Sequence, residues 1–166
     1  MSAPVSGDAF DRVLLLLGRL NYVWSNTESL LIHLIAGLAG TTKDTALVIY
    51  LTLNTTRARA DLVERLAKME GREAGERDRI LEMVGRLTQL AGLRNQYNHC
   101  IYAFDPQGGN PRTIQMRISD RRTGLRMGRE TRIDAEAVRD IRDCIEDLTA
   151  LNHAIWTLIR DAGYPA

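Results

Sequence analysis

Hydrophobic residues recur at helical spacing through most of the chain and switch to strict alternation in one stretch. Val13, Leu17, Leu20, Trp24, Leu31, Leu34, Ile35 and Leu38 follow three- and four-residue steps, the stripe of an amphipathic helix over 8–38. Asp8 suits its N-cap, Gly18 a break, and Ala39-Gly40 its end. Thr41-Thr42-Lys43-Asp44 reads as a turn and cap before a short apolar helix over 45–53, and Asn54-Thr55-Thr56 opens another to about Met69. Leu62, Leu66 and Met69 give that second helix its inward edge, with Arg57, Arg59, Glu64 and Lys68 in water. After the Gly71 to Gly75 break comes a long helix over 76–101. At about 100° per residue, Ile80, Val84, Leu87, Ala91, Arg94, Tyr97, Asn98 and Ile101 share its inner face. Beside them runs a lane of Leu81, Gly85, Thr88, Gly92, Asn95 and His99. Each interior glycine costs a helix about 1 kcal/mol relative to alanine, so another helix is expected to approach closely along that lane.

Proline and glycine then crowd 103–111, a loop. Beyond it Ile114, Met116 and Ile118 alternate with Gln115, Arg117 and Ser119, and Leu125 and Met127 alternate with Arg126 and Gly128, across a turn at 120–124. This predicts a β-hairpin within 112–132, marginal in water unless its apolar side is covered. Asp134 caps a last helix to about Arg160, whose Val138, Ile141, Ile145, Leu148, Asn152, Ile155 and Ile159 form the seam of an antiparallel bundle or a helix dimer. The expected fold is an all-α antiparallel helical bundle of about five helices, one domain over 1–166, with the hairpin inserted before the last helix.

At 166 residues and 45% hydrophobic content the chain can bury a substantial core. Its net charge of +1 gives no global sign of a nucleic-acid or membrane partner. The charge is segregated, however: 112–132 holds seven arginines against two acids, +5 locally, which leaves −4 for the rest. A positive arm on a slightly acidic body suits a polyanion such as RNA, with Arg117, Arg122 and Arg126 as contacts. The competing reading is a hairpin kept soluble by its arginines, since no aromatic residue is interleaved to stack bases. Cys100 and Cys144 stand alone and far apart, unlike a zinc site or a disulfide scaffold. No apolar run reaches the roughly 20 residues of a membrane span, and no basic-then-apolar leader opens the chain. A cytoplasmic protein with no membrane, metal or cofactor is expected.

Candidate chemistry concentrates in Arg94-Asn95-Gln96-Tyr97-Asn98-His99. Arg94 and Asn98 fall in the apolar stripe, where polar groups are costly unless they have a use or a partner. A guanidinium matches phosphate oxygens, an imidazole exchanges protons near neutrality, and together they suit cleavage of an RNA phosphodiester. Asn95 can bond the imidazole or the phosphate. Arg94 and His99 diverge by about 140° on an ideal helix, so one copy makes an awkward site and a homodimer brings two motifs into one cleft. Glu28 either sits in water or pairs with Arg94. Asn152 either fixes register in its seam or supports the Arg94–His99 cluster. His33 and His153 read as exposed. The structural alternative for the motif is an arginine ion pair and a histidine capping carbonyls.

Arg94-Asn95-x-x-x-His99 at a helix end resembles the Arg-x4-6-His signature of the HEPN superfamily (higher eukaryotes and prokaryotes nucleotide-binding). The resemblance implies a metal-independent endoribonuclease toxin with a composite site across a homodimer, often neutralised by a nucleotidyltransferase-like antitoxin. It also implies a role for a tyrosine shortly after the histidine. Tyr102 is the candidate, three positions on where the toxin pattern has two. The rival classes are an inactive RNA-binding or helix-docking module of the same fold, and a nucleotide-binding regulator, for which the chain has no glycine-rich phosphate loop.

Overall fold

Helices form where the apolar stripe has helical spacing, and strands form both where it alternates and at one place where it does not. The computed structural model describes residues 7–106 and 109–166. In chain order it has α1 (Gly7–Glu28), α2 (Leu31–Ala39), α3 (Lys43–Thr52), α4 (Thr56–Ala67), α5 (Ala74–Asn98), β1 (Cys100–Ala103), β2 (Arg112–Gln115), β3 (Ile118–Arg121), β4 (Gly124–Met127), β5 (Glu130–Arg132) and α6 (Ala135–Asp161). The expected all-α antiparallel bundle is therefore corrected: five short strands in two antiparallel sheets accompany the helices. The chain divides into two compact units, Met1–Asn21 with Gly92–Ile145 and Tyr22–Ala91 with Glu146–Ala166.

In the second unit the core is built from Trp24, Leu31, Leu34, Ile35, Ile80, Leu87, Leu148 and Ile155, all nearly or fully buried. The break between the first two helices falls at Ser29–Leu30, not at Gly18. There the Leu30, Ile32 and His33 N–H groups bond the carbonyls three residues back, a tightening that redirects the helix without a glycine. Helix α2 ends on Gly40 in the left-handed region at φ 62. Threonine side chains start the next two, Thr42 accepting from Thr45 N–H and Thr55 from Ala58 N–H. The inward edge of α4 is Ala60, Val63 and Ala67, one step round from the expected Leu62, Leu66 and Met69, and Met69 is exposed. Histidine 33 is buried rather than exposed: its Nδ1 lies 2.8 Å from the Pro165 carbonyl and its ring 5.1 Å from that of Trp156. The C-terminal segment returns over α2, with the Tyr164 ring against Gly37, where a Cβ would collide with it.

In the first unit, β1, β2 and β5 form an antiparallel sheet in that order and β3 pairs with β4. Residues 112–132 make one long ribbon, interrupted where Gly128 N–H bonds the Arg117 carbonyl. Gly128 sits at φ 68, and a Cβ there would lie 2.8 Å from Ile114 Cγ2, so this bulge requires glycine. The helix predicted over 76–101 stops at Asn98, because Ile101 pairs with Ile114 and Tyr102 with Thr113 across β1 and β2. A third strand widens the hairpin's sheet, which removes the marginality of two strands alone.

The close helix approach expected along Gly85 and Gly92 is also corrected. Among the described residues a Cβ at either glycine would meet nothing within 4 Å, so both carry their helix cost without a packing return there. Helix α6 begins on the Asp134 carboxylate, which accepts from Glu136 and Ala137 N–H at 3.1 and 3.0 Å, the cap read from sequence.

Candidate functional site

The end of α5 is fixed from several sides. Tyr102 Oη donates to the Tyr97 carbonyl at 2.7 Å and Cys100 Sγ to the same oxygen at 3.3 Å, satisfying a carbonyl that the helix leaves open. His99 N–H still bonds the Asn95 carbonyl, while its own carbonyl accepts from Met116 N–H. Residue 99 is thus the hinge point where helix becomes sheet, and that bond brings the start of the bulge beside it. Burial raises the Tyr97 and Tyr102 hydroxyl pKa values and the Cys100 thiol pKa above their ordinary ranges.

Arg94 is only partly exposed and is held by neighbours on its own helix. Its Nη1 donates to Asn95 Oδ1 at 3.1 Å. With the Asn98 amide oriented oxygen toward the guanidinium, Asn98 accepts from Arg94 Nε and Nη2 at 2.9 and 2.7 Å, and its nitrogen donates to Asn21 Oδ1 at 2.9 Å. Two asparagines therefore set the guanidinium plane, which answers how a charge is accommodated at that position.

His99 is exposed and lines a groove of about 380 Å³. The helix side of the groove is Gly92, Asn95 and Gln96, and the strand side is Gln115, Met116 and Arg117. The arginine that lines the groove with His99 is thus Arg117, with Arg94 one hydrogen bond behind through Asn95. The bare backbone of Gly92 leaves the helix side open.

A second depression, of about 470 Å³, lies along the ribbon. Alternation puts Ser119 and Arg121 on one face of β3, and the register Ser119↔Arg126 adds Arg126 to that face. Arg117 and Arg129 line the same depression, with Glu130 as its one acid. Asp120, opposite Leu125, belongs to the other face, where Ile118 and Leu125 are about 60% exposed. Gln115 and Arg117 line both depressions.

Other residues singled out from the sequence are engaged elsewhere. The Glu28 carboxylate accepts from Trp24 Nε1 at 3.1 Å, Thr56 Oγ1 at 2.6 Å and Arg59 Nη1 at 3.1 Å, so its cation is Arg59 and not Arg94. Asn152 Nδ2 donates to Thr27 Oγ1 at 3.3 Å, a register contact between α1 and α6. Tyr102 spends its hydroxyl on the helix end, and Arg122 sits in the β3–β4 turn outside either depression. Asn21, Gln115, Arg121 and Arg129 were not singled out. Strand alternation alone would have placed Arg121 with Ser119, whereas Asn21 and Gln115 become visible only through tertiary contacts.

Among the described residues no three His, Cys, Asp or Glu side chains converge in a metal-holding group, and no helix is long and apolar enough to cross a membrane. No family model, curated protein or solved structure matches the chain.

Proposed function

We propose that this protein binds RNA and cleaves its backbone without a metal ion, with His99 as the proton-transfer group. The observation that carries the reading is one groove lined by an imidazole, a guanidinium and two kinds of side-chain amide, His99, Arg117, Asn95 and Gln115. Such a set can hold a phosphodiester and move a proton beside it. Neutral His99 takes the proton of the ribose 2′-hydroxyl. The 2′-oxygen then bonds phosphorus, the phosphorus–O5′ bond breaks, and the 5′-oxygen is protonated as it leaves. The products are a 2′,3′-cyclic phosphate and a 5′-hydroxyl. Arg117 stabilises charge on the non-bridging oxygens, and Arg94 acts as a positioning residue by holding Asn95.

Each groove has one imidazole, and the reaction uses an acid as well as a base. A homodimer bringing two such grooves together supplies both, the arrangement that the HEPN resemblance of Arg94 to His99 also implies, along with a nucleotidyltransferase-like antitoxin. Cleavage of a mixed RNA pool in excess EDTA tests the reading. The wild type cuts, His99→Ala loses cleavage by at least about a hundredfold, the usual worth of a positioned proton-transfer group, and light scattering gives a dimer. A His99→Ala protein as active as the wild type refutes it.

A second reading is an RNA-binding module without cleavage. It is favoured by the His99 ring, for which no hydrogen-bonding group among the described residues orients the imidazole. Binding that persists in an inactive wild type selects it.

A further inference from the structure

The two depressions in the first unit have separate linings except at Gln115 and Arg117, which belong to both. We propose that they form one track: a single RNA strand lies along the arginine face of the ribbon and enters the His99 groove at Arg117. The inference rests on the reading above for the chemical class of its ligand and adds the route, the contacts and the strandedness.

The face is built by register. On β3 and β4 the cations Arg121 and Arg126 share one side with Ser119, while the hairpin's acid, Asp120, belongs to the opposite side. Four of the seven arginines of 112–132, Arg117, Arg121, Arg126 and Arg129, line the ribbon's depression with Glu130. From Arg117 to Arg121 the backbone advances about 13 Å at the usual rise of a strand, room for more than one phosphate of a single nucleic-acid strand. Arg117 is where this line of cations meets the imidazole. Because Gly128 fixes the bulge at which Arg117 sits, the handover point is set by the backbone. Among the described lining residues neither depression has a Phe, Tyr or Trp, and His99 is the one ring at either, so along the arginine face recognition is through phosphates and is indifferent to base sequence. A groove of about 380 Å³ admits a nucleotide and not a duplex. Arg122, in the turn, is off the track although it adjoins Arg121 in sequence.

The test is anisotropy of a fluorescein-labelled 12-nucleotide oligouridylate with the full chain carrying His99→Ala, so that no strand is cut, over a potassium chloride series. Arg117→Ala, Arg121→Ala and Arg126→Ala each weaken binding about tenfold at low salt, the scale of one charge-assisted contact. Each also reduces the slope of log affinity against log salt by about 0.7, one phosphate contact to a single strand. Arg122→Ala changes affinity less than about twofold on the same scale, and Arg126→Lys keeps the salt slope. Circular dichroism confirms that each variant is folded. The track is overturned if Arg122→Ala weakens binding as much as Arg126→Ala, if none of the replacements matters, or if a duplex of equal length binds as tightly. Intact cleavage with the wrong binding pattern removes the track alone, whereas the expected pattern without cleavage removes the catalytic reading and leaves the track.

Discussion

Replacing Glu28 separates stability from function in a way that the structure makes quantitative. Its carboxylate and the Arg59 guanidinium are 10% and 17% exposed at the side chain and 3.1 Å apart. Glu28→Ala leaves the Arg59 charge without its counter-ion, a change that costs about 3–5 kcal/mol in buried pairs. Arg59 keeps the Tyr50 and Leu53 carbonyls at 3.2 and 2.9 Å, and the Tyr50 ring lies 4.0 Å below its guanidinium. These remaining partners put the loss at the lower end, about 3 kcal/mol. For a chain of this length that lowers Tm by about 6–12 °C. Replacing both partners, Glu28→Leu with Arg59→Met, removes the uncompensated charge and returns stability to within about 1–2 kcal/mol of the wild type. Urea unfolding followed by circular dichroism measures Glu28→Leu, Arg59→Met and their double variant as the corners of a cycle, with Glu28→Ala beside them. On the proposed reading, RNA cleavage by Glu28→Gln at a temperature where it is folded stays at the wild-type rate, because Glu28 serves Arg59 and not Arg94. A loss below about 1 kcal/mol for Glu28→Ala, against the range for buried pairs, or a double variant as unstable as the summed singles, refutes the reasoning.

Three further outcomes follow from the backbone and the helix end. Gly85→Ala stabilises by up to about 1 kcal/mol, since the new Cβ meets nothing within 4 Å; a loss in urea midpoint would show that something does approach there. Gly128→Ala destabilises by about 1–3 kcal/mol, because φ is 68 and its Cβ would press on Ile114, and it also displaces Arg117 and so lowers RNA affinity; unchanged stability and affinity would contradict the bulge's role. The Tyr97 and Tyr102 hydroxyls are raised above the ordinary tyrosine value chiefly by burial. Their contribution is therefore complete below about pH 10 and is lost as pH rises through the folded-state values. Tm falls above that point, and less steeply in Tyr102→Phe.

Local periodicity carried much of this fold. The stripe Ile80, Val84, Leu87 and Ala91 is buried as one face of α5, and the turn between β3 and β4 falls at Arg122 and Thr123, within the 120–124 stretch read as a turn. What failed did so where a distant partner decides. Cys100 and Ile101 continue the helical spacing, yet β2 recruits Cys100 to Ala103 as a strand by pairing with Arg112 to Gln115 across the intervening loop. Arg59 falls on the solvent lane of its helix, but its long side chain reaches back to Glu28. His33 is buried because the chain's last residues fold over it. The candidate site divides the same way. Asn95 and His99 lie on one helical lane and line one groove, which spacing alone could anticipate. That Arg117 rather than Arg94 lines the groove depends on the bond from Met116 N–H to the His99 carbonyl, which no pattern in the sequence encodes.

The most direct measurement uses a DNA oligonucleotide carrying one ribonucleotide, incubated with the protein in EDTA and resolved by mass. Proton removal from a 2′-hydroxyl by His99 predicts a single cut immediately 3′ of that ribonucleotide, leaving a 2′,3′-cyclic phosphate and a 5′-hydroxyl. Cutting at deoxynucleotides, or a linear 5′-phosphate product, would contradict it.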